Sequence, residues 1–499
     1  MGSRGPRSKP GGWGGPPHSR RVRRRRTARV TARPPQPPGF ERGPADRRII
    51  KSTLRIAGPV MAENLMASAV GMINTAMVGV LGRGASATVG VNSAPAWVLN
   101  SIPMGLCVGS TVMVARSIGA GDREKANNTA NQTVGGIFLL ALAVSITMFF
   151  ISSYIPGLIN ADPLIWDDAA AYLRVLSLAI VPNFLGFACS GMLRGAGNTK
   201  TPMFAGLLTN IVTVSLNFML IYESLEFNIL GTGFVLPRAG LGIQGAAVST
   251  AIAQTLFGLF MLSCVFGRNQ KIRCSPRKIF LFSWDTLRPV LKVGLPAMGE
   301  RLTISMGQMM YASTVNSLGE TATSAHHIAV QVESIGFMPA NALSVTATTL
   351  VGQSLGAKEK EDARKYANTT MVCAIIVGTL CFFAFFFAAV PLIGLFINDG
   401  DVIGTGASAL RVMAPVQPFF CMLIVINGIL RGGGDTHFAL YAGLAGMWGI
   451  RLGAAYAAVN LLGWGLAGAW AGMGADILVR FTIMFIRYRR KKWLNINEI

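Results

Sequence analysis

Apolar residues run through this chain in long blocks instead of alternating with polar ones. Blocks able to cross a hydrocarbon core of about 30 Å lie near 55–81, 87–114, 126–150, 167–189, 203–222, 241–267, 289–318, 324–351, 366–392, 403–428, 438–461 and 466–486. They are too long for strands, so twelve helices are predicted. Charge collects between them with a regular alternation. One set of connections holds Arg116, Arg123 and Lys125, then Arg194 and Lys200, then Arg268 to Lys278, then Lys358 to Lys365, then Arg431. The intervening set holds Asp162, Asp167, Asp168, Glu223, Glu226, Glu320, Asp399 and Asp401, with only Arg83 and Arg238 basic. Cytoplasmic loops carry the excess of Lys and Arg, which places the first set and both termini inside. An even number of spans requires the same.

The pattern also repeats. At an offset of 237 residues, Leu54-Arg-Ile-Ala-Gly-Pro-Val-Met-Ala-Glu-Asn-Leu65 falls on Leu291-Lys-Val-Gly-Leu-Pro-Ala-Met-Gly-Glu-Arg-Leu302. The same register sets Gly119-Ala120 on Gly356-Ala357 and Arg194-Gly-Ala-Gly-Asn-Thr199 on Arg431-Gly-Gly-Gly-Asp-Thr436. Gly242 to Ala246 then matches Gly465 to Ala469 at offset 223, so the first half carries an insertion near 222–240. The prediction is an all-α membrane protein of two six-helix bundles related by a parallel repeat. Its expected parts are a tail at 1–48, an N-lobe at 49–267, a basic linker at 268–288, a C-lobe at 289–487 and a C-terminal tail at 488–499.

Composition agrees with a membrane protein: 51% of residues are hydrophobic and 13% charged, with a mean hydropathy of +0.47. The net charge of +23 would suggest a nucleic-acid partner were it not so unevenly placed. Fourteen Arg or Lys sit in residues 1–48 against Glu41 and Asp46. With little to bury, that tail is expected to be disordered, either without function or touching anionic lipid, and no nucleic-acid partner is expected. Seven cysteines form no Cys-x-x-Cys pair and read as small hydrophobes. No nucleotide fold, nucleophilic set or metal cluster stands outside the spans, so the chain is not expected to be an enzyme, and no cofactor is expected.

Several motifs carry a resemblance. Pro59-x-x-x-Glu63, Met77-Val-Gly-Val-Leu-Gly82, Gly119-Ala120-Gly121, Gly356-Ala357, Arg194 to Thr199 and Ala325-His-His-Ile-Ala329 are similar to those of the multidrug and toxic compound extrusion (MATE) family. The likeness covers residues 50–493. It implies two bundles in the plasma membrane, a monomer in lipid, exporting small organic cations or amphipathic drugs in exchange for Na⁺ or H⁺. The alternative within the wider superfamily is a lipid-linked or glycolipid flippase. A flippase would be expected to hold a strongly basic cavity, and the embedded basic residues are few: Arg174, Arg301, Arg411, Arg451 and Arg480.

Ionisable groups within apolar helices are the candidate chemistry, since each costs about 2.5–3.5 kcal/mol at a helix centre. Glu63 and Glu300 are repeat equivalents in the first and seventh spans, available either for a proton or cation or for bonds to neighbouring helices. His326 and Glu333 lie two turns apart on one helix face, which suits either proton coupling or, for the histidines, plain packing against the other lobe, while His327 points elsewhere. Where family members often have Asp, this chain has Asn74 and Asn217. These two, with Asn210 and Glu63, form a candidate cage of oxygens for Na⁺ or substrate, or else plain interhelical bonds. The Arg-Gly turns at 194 and 431 are expected to use Gly at positive φ, their arginines anchored at headgroups. Met306, Met309, Met310, Phe337 and Met338 are candidates for an adaptable apolar lining.

Overall fold

The computed structural model describes residues 2, 45–81, 83–158, 163–222, 225–229, 232–236, 239–267 and 270–495. Most of the tail expected at 1–48 lies outside these residues, as do Asp162, Glu223, Arg238 and Arg268. Twelve helical spans follow in order. The N-lobe holds Ala45–Gly79, Arg83–Gly119, Arg123–Ile151, a fourth made of Trp166–Leu178 and Ile180–Gly195, Lys200–Leu220 and Gly242–Phe266. The C-lobe holds Trp284–Asn316, Glu320–Gly356, Lys360–Phe387, Gly400–Gly432, an eleventh running from Thr436–Leu444 to Ala457–Leu461, and Gly465–Arg489.

Among the described residues nine helices are long and apolar enough to cross a membrane, and ten when the fourth, bent by 50°, counts as one. The seventh and eleventh fall short for identifiable reasons. The seventh carries Asp285, Arg288, Lys292, Glu300 and Arg301. The eleventh is broken by π-turns at Ala445–Arg451 and Ala457–Leu461. Such turns widen a helix and occur often beside functional groups.

The first span starts at Ala45, earlier than hydropathy predicts, so residues 45–48 are helix and not tail. Its entry turn is held by contacts: Ile49 and Ile56 are buried with Leu350 and Tyr366, and Arg48 pairs with Asp362 at 2.6 Å. The linker is shorter than expected, because the seventh helix begins at Trp284. It is tied to the N-lobe, where Asn127 and Asn131 accept from the backbone N–H of Arg273 and Ser275 at 2.8 and 2.7 Å. A single antiparallel hairpin, Leu225–Ile229 with Thr232–Leu236, departs from the all-α pattern and occupies the insertion of the N-lobe. At the other terminus Trp493 is buried and stacks on Tyr488, so the chain stays packed beyond the last span.

Each lobe has its own apolar core, one including Val114, Phe184, Met192 and Met261, the other Leu410, Ile426, Trp470 and Ile477. The lobes meet where the second helix packs on the seventh and eighth. Ser101 and Ser305 share a hydroxyl hydrogen bond of 2.8 Å near the helix midpoints. From there towards the end with the basic connections, small residues let backbones touch. A Cβ on Gly119 would strike the Gln353 carbonyl, and one on Gly356 the Arg116 carbonyl. Towards the other end, no cross-lobe hydrogen bond or ion pair among the described residues lies beyond Ser101–Ser305 and the 3.5 Å bond from Asn64 to the Met338 carbonyl. Among the described residues the lobes are joined from the helix midpoints to the basic end.

Candidate functional site

Glu63 and Glu300 each stand four residues after a proline inside their helix, Pro59 or Pro296. Each is met by an arginine from the end of another helix of its lobe. Arg194 reaches Glu63 Oε1 at 2.6 Å, and Arg431 reaches Glu300 Oε2 at 2.8 Å. Both bonds span 131 residues, so the repeat has kept the pair as well as its members. Equivalent glycines make room: a Cβ on Gly206 would lie 3.4 Å from Glu63 Cγ, and one on Gly443 would lie 3.6 Å from Glu300 Cγ. The arginines therefore turn inward and are not headgroup anchors, as the position of the turn had suggested. An unpaired buried carboxylate is far costlier than a paired one; each pair is made through a single guanidinium nitrogen, Nη2, which leaves Glu63 Oε2 buried without a hydrogen-bond partner among the described residues. The turns themselves are as expected, with Gly197 at φ +84° and Gly434 at φ +79°.

The amide cage comes apart. Asn217 Nδ2 donates to Asn74 Oδ1 at 2.9 Å, which joins the first and fifth helices. Glu63, however, is eleven residues from Asn74 on a straight rise of 1.5 Å per residue, about 16 Å away, and it is already paired with Arg194. Asn210 is half-buried and makes no side-chain hydrogen bond among the described residues. Glu63 and Asn74 share a face of the first helix, and Asn210 and Asn217 a face of the fifth, but the four do not share one ion. Asn217 Oδ1 is buried without a partner, so the amide pair keeps one acceptor in reserve.

In the C-lobe the eighth helix points His326 inward and leaves His327 exposed. Trp470 Nε1–H donates to His326 Nδ1 at 3.1 Å. An indole can only donate, so Nδ1 must be unprotonated in this arrangement and the neutral ring carries its proton on Nε2. Charging His326 would require giving up Trp470. Tyr311 stacks edge-on against the same ring at 5.7 Å, and the Arg451 guanidinium lies 5.8 Å from the Tyr311 centroid.

Two turns along, Glu333 has a different neighbour. Gln417 Nε2 lies 3.4 Å from Glu333 Oε1, while Gln417 Oε1 is buried without a partner. A primary amide can donate to a carboxylate or, turned over, accept from a carboxylic acid. Glu333 is thus the embedded carboxylate of the candidate set whose partner suits both protonation states.

Sequence reasoning missed Asp476. Fully buried in the twelfth helix, it accepts from Arg451 at 2.9 Å and from Arg480 at 2.7 Å. Gly446 is required beside it, since a Cβ there would collide with Asp476 and Arg480. The signal was present: Arg451 and Arg480 inside apolar spans demand a counter-ion, and Asp476 stands four residues before Arg480. Met306, Met309 and Met310 remain exposed on the seventh helix, and Phe337 stacks on Phe420 at 6.2 Å. No group of three or more His, Cys, Asp or Glu side chains could hold a metal among the described residues.

The MatE family model matches residues 59–219 and 296–457, one segment in each lobe. The chain is 29% identical to a probable multidrug resistance protein NorM of Thermotoga maritima, over 89% of this chain and 93% of that one. It is 27% identical to the multidrug resistance protein MdtK of Edwardsiella ictaluri, over 90% and 98%. Among solved structures, a MOP superfamily transporter from Pyrococcus furiosus superposes with a TM-score of 0.82 at 21% identity, covering 92% of this chain and all of that one. An outward-facing multidrug resistance MATE family transporter superposes with a TM-score of 0.80 at 23% identity, over 92% and 98%. At these identities the structures speak for the fold.

Proposed function

Because the chain belongs to the MatE family, we propose that it is a secondary active multidrug exporter of the plasma membrane, driven by H⁺ or Na⁺ through alternating access of its two lobes. The observation that carries this reading is the seam: two repeat-related lobes clasped at the basic end and, among the described residues, free of cross-lobe hydrogen bonds and ion pairs at the other. With the basic connections cytoplasmic, that is the outward-open half of a cycle. Organic cations and amphipathic drugs are the proposed cargo, held between the lobes against the exposed methionines of the seventh helix, which adapt to varied apolar shapes.

Coupling falls to Glu333. The charges of Glu63 and Glu300 are answered by Arg194 and Arg431 at 2.6 and 2.8 Å, and His326 is committed to Trp470. Glu333 is hydrogen-bonded to an amide that tolerates both of its charge states, with the Arg451 guanidinium near enough to act on its charge. Binding a proton or cation there from outside, and releasing it inside, would bias the lobes between two closures. The flippase reading has less support. Among the C-lobe arginines named above, Arg431 is occupied by Glu300, and Arg451 and Arg480 by Asp476; Arg301 and the exposed Arg411 make no ion pair among the described residues.

Reconstituted protein should expel a fluorescent organic cation from liposomes under an imposed Na⁺ or pH gradient. Glu333→Gln is expected to abolish the gradient dependence, whereas Glu63→Gln slows turnover and leaves the dependence in place. Unaltered gradient dependence in Glu333→Gln would remove that residue from the mechanism. Absence of efflux under both gradients, with lipid translocation retained, would favour the flippase.

A further inference from the structure

The two Arg-Gly turns are also where each lobe grips the other. From the C-lobe, Gln353 Nε2 donates to the Gly195 carbonyl at 2.8 Å, and Thr349 Oγ1 to the Arg194 carbonyl at 3.2 Å. From the N-lobe, the Arg116 guanidinium donates to the Gly433 carbonyl at 2.8 Å. Arg116 and Gln353 are separated by the repeat offset of 237, as are the turns they grip. Gly119 and Gly356, which admit each other's helix, are separated by it too. The grip is therefore made twice, once in each direction, about a two-fold axis.

These turns are the ones that carry Arg194 and Arg431. Arg194 is held at both ends: its side chain by Glu63 inside its own lobe, its carbonyl by Thr349 of the other. Arg431 is held by Glu300, two residues before the carbonyl that Arg116 takes. The Arg194 and Arg431 carbonyls each accept an N–H from the turn that follows, Gly197 and Gly434 at 2.8 Å, whereas the last carbonyls of a helix, here those of Gly195 and Gly433, lack intrahelical donors, so their direction depends on whatever fixes the final turn.

We propose that Glu63–Arg194 and Glu300–Arg431 are positioning pairs of the transport cycle. Each aims, from within its lobe, the carbonyls that the opposite lobe must find for the cytoplasmic side to close. The inference deepens the alternating-access reading and rests on it for its place in the cycle. It assigns the two repeat-equivalent acids to closure, leaving ion exchange to Glu333. Loss of either pair releases the grip at a distance, in the lobe that was not altered.

Hydrogen–deuterium exchange on the full chain in lipid nanodiscs tests this without any substrate. Glu63→Gln is expected to speed exchange several-fold at 349–356 of the C-lobe, and Glu300→Gln to do so at 112–119 of the N-lobe. The inverted pair, Glu63→Arg with Arg194→Glu, should return protection at 349–356 towards wild type. Faster exchange confined to the altered lobe would overturn the proposal and leave a purely local structural role. Should the pair variants fail to fold, Gln353→Ala at the seam must raise exchange at the 194–198 turn, and protection unchanged there would overturn it equally. Either result stands whatever the protein carries, so the exporter reading is judged separately by efflux.

Discussion

The N-lobe and the C-lobe share a helix plan, a Glu–Arg pair and half a gate each, yet their interiors differ in kind. In the N-lobe the pair is the less buried, its side chains 21% and 15% exposed, and the further side-chain links between its helices are neutral, among them Asn217–Asn74, Asn183–Asn100 and Asn92 to the Ala169 carbonyl. The C-lobe buries its pair to 11% and 3% and adds three further polar sets: Arg451–Asp476–Arg480, Trp470–His326 with Tyr311, and Gln417–Glu333. The difference teaches a division of labour. What both lobes do together, meeting at the seam of the basic end, is built symmetrically. On the proposed mechanism the group that changes charge belongs to one lobe only, and the other keeps fewer buried ionisable side chains, each of which is costly.

The largest effect that would sharpen this comparison is on stability. Arg431→Ala strands a carboxylate that is almost fully enclosed, and removal of one partner from a buried pair costs about 3–5 kcal/mol. Arg194→Ala strands Glu63, which keeps some access to solvent, and is expected to cost about half as much. Thermal unfolding of the two variants in the same detergent gives the ratio directly. Equal losses would mean that the lobes bury their pairs alike, and the contrast in exposure would carry no energetic weight.

A smaller change would break the comparison on purpose. Asn74→Asp places an ionisable carboxyl beside Asn217, whose Nδ2 can still donate to it. The N-lobe would then hold an acid with an amide partner, as the C-lobe does with Glu333 and Gln417. Efflux driven by a pH gradient is expected to become more steeply dependent on pH, without loss of substrate binding. A pH profile superimposable on wild type would show that an acid in the N-lobe is not enough, and that the remaining C-lobe polar sets matter to coupling.

These contrasts were unevenly legible in the sequence. Span length and the alternation of charge carry the twelve helices, and the 237-residue register carries the two lobes, because both are set by local hydropathy and by duplication. Glu63 and Glu300 stood out as equivalents, but their partners did not. An ion pair spanning 131 residues leaves no local pattern, and an arginine at a helix end reads by default as a headgroup anchor. The clue was that both acids and both arginines repeat with one spacing. The amide cage failed for the opposite reason: a shared helix face is a statement about angle, and eleven residues of rise separate what the face aligns. Asp476 was hidden by its own neighbour, since an acid four residues before an arginine resembles an ordinary surface pair until the span around it is known to be buried.

The smallest expected effect isolates a single backbone angle. Gly121 at φ +77° and Lys358 at φ +62° are repeat equivalents in the turns after the second and eighth helices. Glycine occupies that left-handed conformation freely, whereas an L side chain there costs about 1 kcal/mol through the clash of Cβ with the carbonyl that follows. Lys358 is exposed, so little packing is lost with its side chain. Lys358→Gly is therefore expected to stabilise the folded protein by about 1 kcal/mol and Gly121→Lys to destabilise it by about as much. Because the two turns lie on either side of the same seam, the double variant should unfold at the wild-type temperature. A gain from Lys358→Gly that vanishes or reverses would mean that the lysine makes a stabilising contact of its own at the basic end, where Arg116, Lys125 and Lys360 line a cavity of about 650 Å³ with it. The turns would then differ for a reason of charge, and the symmetry of the seam would end at its backbone.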